Sequence, residues 1–183
     1  MILTTDRLLL REIEASDWEA VCDYQVDPRY RRYYPWIPDV REEVQRLVDA
    51  FIHWQQDQPR YRFQLAITLR VDRCLIGTCG IRATKVNRQE AELGYELNPD
   101  YWGQGYATEA AHAMLTFGFG TLHLQRVWAQ CVAENEASVR VLERLGMRQE
   151  QRLSKHTWMQ ERWWDTLVYA IGKAEWRAQT EPV

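Results

Sequence analysis

The chain has 183 residues, a formal net charge of −3 and 46% hydrophobic residues. This length and composition predict one globular domain over residues 1–172, followed by a polar C-terminal tail at 173–183. The acidic balance argues against nucleic-acid binding, which needs a basic surface. The sequence has neither an apolar run of membrane-spanning length nor a signal-peptide pattern at its N-terminus. We therefore expect a cytoplasmic protein that binds neither nucleic acid nor membrane.

The first third of the chain predicts one strand and two helices. The apolar run at 8–13 is typical of a strand. The segment 16–26 begins with a capping-box sequence, Ser-Asp-Trp-Glu, and predicts a helix. An irregular loop with three prolines follows at 27–38. A second capping-box sequence, Asp-Val-Arg-Glu, begins a helix at residue 39, with apolar residues close to a 3.6-residue period, that ends before Pro59.

The rest of the chain predicts six strands and two helices. A short turn at 71–73 joins the first two of these strands into a hairpin, and Gly146 ends the second helix. Strands are predicted at 61–69, 74–82, 91–97, 126–132, 148–158 and 163–171, and helices at 107–119 and 135–145. This order predicts an α/β (α+β) fold with a mixed, mostly antiparallel, seven-stranded sheet and helices on both faces.

The cysteines and histidines give no metal-binding pattern. No two cysteines have C-x-x-C spacing, and the four histidines are scattered along the chain. We therefore expect no metal ion and no disulfide framework. The thiols expected to be reduced and mostly buried are those of Cys22, Cys74, Cys79 and Cys131.

Two glycines, Gly103 and Gly105, lie between the strand at 91–97 and the helix at 107–119. Glycine lets the backbone adopt a positive φ and approach a ligand closely. The first turn of a helix has unpaired N–H groups and the positive end of the helix dipole. Together these features predict a phosphate site that needs no lysine. The sequence lacks the P-loop and Rossmann motifs, so those nucleotide-binding folds are not indicated.

A second block lies at 135–147 and reads Asn-Glu-Ala-Ser-Val-Arg-Val-Leu-Glu-Arg-Leu-Gly-Met. Three other segments accompany this block along the chain: an opening segment at 5–11, the turn sequence Trp-Gly-Gln-Gly-Tyr-Ala at 102–107 and a closing segment at 162–169. On these segments the chain resembles the GNAT superfamily of acetyl-CoA-dependent N-acetyltransferases. More narrowly, it resembles the ribosomal-protein N-terminal (alanine or serine) acetyltransferases. Trp102 departs from the Gln or Arg that begins the family's phosphate motif.

The resemblance implies the GNAT fold, in which the fourth and fifth strands splay apart and admit the pantetheine arm of acetyl-CoA, the co-substrate. It implies that Glu96, Leu97 and Asn98 pair with the pantetheine amides, and that a backbone N–H near Leu97 stabilises the oxyanion. Asn135 is expected to cap its helix and to touch the same arm. The residues expected to hold the diphosphate are Gly103, Gln104, Gly105, Tyr106, Ala107 and Thr108.

Glu92 is the predicted catalytic base, because it matches the position of the base glutamate in the histone-type members of the superfamily. Two alternatives stay open: a glutamate held in a structural ion pair, and a carboxylate that acts only through water. Another branch uses a glutamate where this chain has Gln130, which cannot accept the proton.

Ser138 is the predicted catalytic acid. It shares one helical stripe with Val141, Leu142 and Leu145, so its hydroxyl is expected to face inward. It matches the serine that has this role in the ribosomal-protein branch, whereas Leu142 stands where many relatives carry a tyrosine. The alternative is a first-turn serine bonded to its own backbone.

Tyr34 and Trp36 are predicted to line the acceptor site, because the resemblance places their loop along the acceptor groove. The expected acceptor is a protein N-terminal amine. A small amine (a polyamine, amino acid or aminoglycoside) and a non-catalytic CoA-binding module are the alternatives. The sequence leaves a homodimer open.

Overall fold

The computed structural model of the protein describes residues 1–35, 39–83 and 88–180. In these residues eight strands form one sheet in the order β1-β2-β3-β4-β5-β6-β8-β7. All neighbouring pairs are antiparallel except β5 and β6, which are parallel. The strands are β1 Ile2–Thr4, β2 Leu8–Glu12, β3 Arg62–Leu69, β4 Leu75–Ala83, β5 Glu90–Leu97, β6 Arg126–Val132, β7 Arg148–Met159 and β8 Arg162–Gly172.

The helices cover both faces of the sheet, as predicted. Alternate residues of β3 enter different cores: Leu65 and Ile67 pack with the helices at 106–120 and 136–144, and Ala66 packs with the helices at 17–25 and 40–54. This is the two-residue period of a strand buried on both faces. None of the helices in the described ranges is long and apolar enough to span a membrane. The helices are α1 Asp17–Gln25, α2 Pro28–Arg31, α3 Val40–Trp54, α4 Tyr106–Gly120, α5 Glu136–Arg144 and α6 Lys173–Thr180.

Three local predictions need correction. The sheet has an eighth strand, β1, because three residues at the edge are too few to show alternation. A four-residue helix, α2, stands in the predicted irregular loop, and Asp27 caps it by accepting from Arg29 N. Ser16 makes no side-chain cap to α1. The second capping box is confirmed in part, because the Asp39 carboxylate accepts from Glu42 N at 3.0 Å.

The pairing of β5 with β6 ends early. The two strands are in register only from Glu90 opposite Arg126 to Glu92 opposite Trp128. Beyond that point β5 stays paired with β4 as far as Leu97, and β6 stays paired with β8 as far as Val132. This confirms the predicted splay between the strands at 91–97 and 126–132. The open edge between them is where the candidate site lies.

Residues 173–180, predicted only as part of a polar C-terminal tail, form helix α6. Trp176 on this helix is only 5% exposed. Its ring lies 4.8 Å from the ring of His112 and 5.9 Å from that of Phe119, both on α4. The segment is mostly polar, but its one tryptophan, Trp176, packs against α4 and attaches the helix to the core.

Replacement of Trp176 by alanine should lower the free energy of unfolding by about 3–5 kcal/mol, the range for a large buried aromatic. Urea unfolding followed by circular dichroism measures this change. Trp163→Ala is the matched control, because Trp163 is 53% exposed and its loss should cost under about 1 kcal/mol. Equal effects of the two changes would contradict the docking of α6.

Candidate active site

Two cavities meet at the gap between β5 and β6. The outer cleft, of about 890 Å³, runs between the turn before α4 and the start of α5. The inner pocket, of about 360 Å³, lies on the side of α1 to α3. Six residues line both cavities and so mark their junction: Tyr33, Tyr34, Tyr95, Glu96, Asn135 and Ser138.

The turn before α4 has the geometry that the sequence predicts for a phosphate site. Gly103 and Gly105 have φ of 76° and 84°, in the left-handed region that favours glycine. Helix α4 begins at Tyr106, and its first turn leaves N–H groups without intrahelical partners. The Thr108 hydroxyl, in the same turn, is buried and has no hydrogen-bond partner in the described part of the chain. A buried hydroxyl without a partner at this point fits a ligand oxygen.

An ion pair that sequence reasoning missed supports this turn. Arg7 donates from Nη1 to the carbonyl of Gln104 at 2.9 Å and from Nε to Glu109 on α4 at 2.7 Å. Glu109 also accepts from the Thr5 hydroxyl at 2.6 Å. Burial raises the pKa of Glu109, but the hydrogen bonds from Thr5 and Arg7 outweigh burial and hold this pKa below its usual value. The opening segment at 5–11 contributes to the family resemblance, but its sequence does not predict that Thr5 and Arg7 contact Glu109.

The backbone at the end of β5 corrects part of the prediction. Asn98 N donates to Ile76 O of the β4 side at 2.8 Å. Alternate residues present their N–H and C=O groups to opposite edges of a strand. The main-chain groups of Glu96 and the N–H of Asn98 therefore face β4, and the main-chain groups of Tyr95 and Leu97 face the gap. The Leu97 carbonyl accepts from Trp102 Nε1 at 2.9 Å, which leaves its N–H for a ligand.

Ser138 lies in the first turn of α5 and faces the gap. Asn135 is the N-cap, and its side chain accepts from Ser138 N at 3.2 Å. The Ser138 hydroxyl lies 2.8 Å from the Tyr95 hydroxyl, which also donates to the Ser138 carbonyl at 3.1 Å. Burial raises the pKa of Tyr95 above its usual value. Burial also raises the pKa of the neighbouring Cys131 thiol to about 11.

Glu92 lies deeper, among the lining residues of the inner pocket alone. Its carboxylate is 36% exposed and lies 3.6 Å from Arg82 Nη2. This contact agrees with the structural ion-pair alternative, and the long distance leaves the carboxylate open to water.

The Glu96 side chain is the unexpected feature of the junction, because the sequence predicted only a backbone role for this residue. Its Oε1 accepts from the Tyr24 hydroxyl at 2.6 Å and from Thr78 Oγ1 at 3.2 Å. Its Oε2 accepts from the Tyr30 hydroxyl in a short hydrogen bond. Gln25 Nε2 lies 3.3 and 3.2 Å from the two oxygens.

The tyrosines that donate to Glu96 have raised pKa values. Burial, and then the Glu96 charge, raise the pKa values of Tyr24 and Tyr30 well above the usual value. The Tyr34 ring stacks on that of Tyr30 at 4.4 Å and lines both cavities. Trp36, the other predicted wall residue, lies outside the described residues.

Comparisons with known proteins agree with this geometry. Residues 7–148 match the family description "Acetyltransferase (GNAT) domain". The chain is 36% identical to the uncharacterized N-acetyltransferase YnaD of Bacillus subtilis over 96% of this chain and 99% of that one. It is 25% identical to the [Ribosomal protein uS5]-alanine N-acetyltransferase of Escherichia coli over 95% and 92% of the two chains.

A solved GNAT-family acetyltransferase from Bacillus anthracis superposes with a TM-score of 0.82. The two chains are 32% identical, and the superposition covers 95% of this chain and 99% of that one. The family match covers well over half of the chain and is joined by relatives above 30% identity along nearly its whole length. The chain therefore belongs to the GNAT family of acetyltransferases.

Proposed function

We propose that this enzyme transfers the acetyl group of acetyl-CoA to the α-amine of a protein N-terminus. Proteins with a GNAT domain use acetyl-CoA and an amine acceptor. The observation that carries the proposal is the junction of the two cavities at the β5–β6 gap, where Ser138 is exposed to both. The name of the ribosomal-protein relative supports a protein N-terminus as the acceptor.

In this proposal the outer cleft holds acetyl-CoA. Backbone N–H groups of residues 103–108, the positive end of α4 and the Thr108 hydroxyl bind the diphosphate. Leu97 and Tyr95 present main-chain groups at the open edge of β5, where the pantetheine amides pair in the manner of an added strand. Arg7 and Glu109 hold the turn in place.

The acetyl transfer follows from the groups at the junction. The neutral amine attacks the thioester carbonyl directly, and the Leu97 N–H stabilises the oxyanion. The amine proton passes to Glu92, directly or through water. The departing thiolate, with an ordinary pKa of about 8.5, takes a proton from Ser138 Oγ. The Tyr95 hydroxyl, 2.8 Å away, orients the serine hydroxyl, and the proton that Glu92 received returns to the serine through solvent.

A small amine is a second candidate acceptor. The inner pocket, of about 360 Å³, is large enough for the end of a peptide or for a small molecule, and its aromatic wall suits both. The third candidate, a CoA-binding module without catalysis, rests on the residues at 130 and 142 that cannot act as base and acid. One assay separates the three.

That assay measures CoA release with acetyl-CoA and a panel of acceptors. Peptides that begin with alanine or serine should be turned over, and the same peptides with an acetylated N-terminus should be inert. Faster turnover of spermidine, free amino acids or aminoglycosides than of the peptides would favour a small amine as the acceptor. Tight acetyl-CoA binding without turnover of any acceptor would overturn the enzymatic proposal.

Gly105→Asp should weaken acetyl-CoA binding by at least about a hundredfold, equal to about 2.7 kcal/mol. The change adds a negative charge beside the diphosphate and a side chain at a φ of 84°. Isothermal titration calorimetry measures the affinity. Gly120→Asp at the other end of α4 is the control, because a Cβ there meets open space and affinity should not change. Unchanged affinity in the Gly105 variant would refute the proposed diphosphate site.

Ser138→Ala should lower kcat by about a hundredfold, the lower end of the range for general acid catalysis. The dissociation constant of acetyl-CoA should change little, because the serine acts on the leaving group. Ser154→Ala is the control, since Ser154 is exposed on β7, away from the cleft. Wild-type turnover in the Ser138 variant would remove this serine as the acid.

A further inference from the structure

Glu96 is a partly buried carboxylate with several hydrogen-bond donors and, in the described part of the chain, no cationic partner. Four side chains donate to it, from Tyr24, Gln25, Tyr30 and Thr78. Thr78 is in turn held by Gln64 at 2.9 Å, so the donors form a network below the junction. None of the ion pairs in residues 1–35, 39–83 and 88–180 includes Glu96.

This arrangement surrounds the carboxylate with hydrogen-bond donors that carry no positive charge. Burial, and then the Glu96 charge, raise the pKa values of two of these donors, Tyr24 and Tyr30. Glu92, by comparison, has Arg82 beside it. A negative charge that is taken out of bulk water costs free energy unless a positive charge joins it. The position of Glu96 on both cavities leaves room for that charge to come from a ligand.

We propose that Glu96 binds the acceptor's amine as a primary ammonium ion and so selects cationic amines for the inner pocket. This inference rests on the proposed acetyl transfer to an amine and names the side chain that recognises the amine. The ammonium displaces Gln25, whose contacts at 3.2 and 3.3 Å lie at or beyond the long end of the usual N–H···O range. Tyr34, which lines both cavities, adds an aromatic wall beside this position.

The two carboxylates then have different tasks. Glu96 lies where the outer cleft and inner pocket meet, whereas Glu92 lines only the inner pocket. Glu96 attracts the cation to the place where the thioester is expected, and its two oxygens are already engaged by four donors. Loss of the proton to Glu92 or water then follows as a separate step.

The first test is the steady-state kinetics of Glu96→Gln, which removes the charge and keeps the shape. The KM for the amine acceptor should rise by about tenfold or more, and the KM for acetyl-CoA should stay within about twofold. Glu92→Gln is the matched comparison, and it should lower kcat more than it changes the acceptor KM. An acceptor KM within twofold of the wild-type value in the Glu96 variant would overturn the proposal.

A second variant leaves Glu96 in place. Gln25→Lys supplies an internal ammonium beside the carboxylate, so it should compete with the acceptor and raise its KM by about tenfold. Gln56→Lys adds the same charge at an exposed site after α3 and should leave the acceptor KM unchanged. Equal KM values in the two lysine variants would contradict the inference.

A binding experiment separates this inference from the proposed function. Propylammonium and propanol are titrated into the CoA-saturated protein and followed by ligand-observed NMR. The wild-type protein should prefer propylammonium, and Glu96→Gln should lose that preference by about tenfold. This result would support the ammonium site even if no peptide were turned over. Equal binding of the two probes to the wild-type protein would overturn the site, whatever the peptide assay shows.

Discussion

The early end of the β5–β6 pairing is the constraint on which the rest of the site depends. Three residue pairs join the strands, after which each strand keeps only its antiparallel neighbour. Unpaired main-chain groups inside a protein need partners, and here one of them, the Leu97 carbonyl, is taken by Trp102. The remaining groups at the open edge face the outer cleft. The gap also lets that cleft and the inner pocket meet at Glu96 and Ser138.

Each side of the gap carries a different half of the proposed reaction. On the α4 side, glycine geometry and helix N–H groups suit an anionic ligand, and the contacts from Arg7 hold the turn in position. On the α1 and α2 side, the Glu96 carboxylate with its tyrosines suits a cation. Opposite charges on two ligands are therefore accommodated in adjoining cavities. Ser138 lies where these cavities meet.

Periodicity and glycine patterns predicted much of the fold because they report local backbone preferences. Such patterns, or the family resemblance, predicted the hairpin of β3 and β4, the turn at 103–105, helices α4 and α5 and the splay between β5 and β6. Elements without a local signal were missed: the edge strand β1, the single turn of α2 and the docked helix α6. Trp176 could not be assigned to the core because its partners on α4 lie more than fifty residues earlier in the chain.

The sequence by itself determined the family, the order of the long elements and the place of the glycine turn before α4, since these depend on residues close together in the chain. Only the tertiary structure decided which main-chain groups of β5 face the gap, because that depends on its register with β4. It also decided the surroundings of Glu96, whose carboxylate accepts hydrogen bonds from α1, α2 and β4. Long-range packing brings those donors together, and no spacing along the chain encodes it.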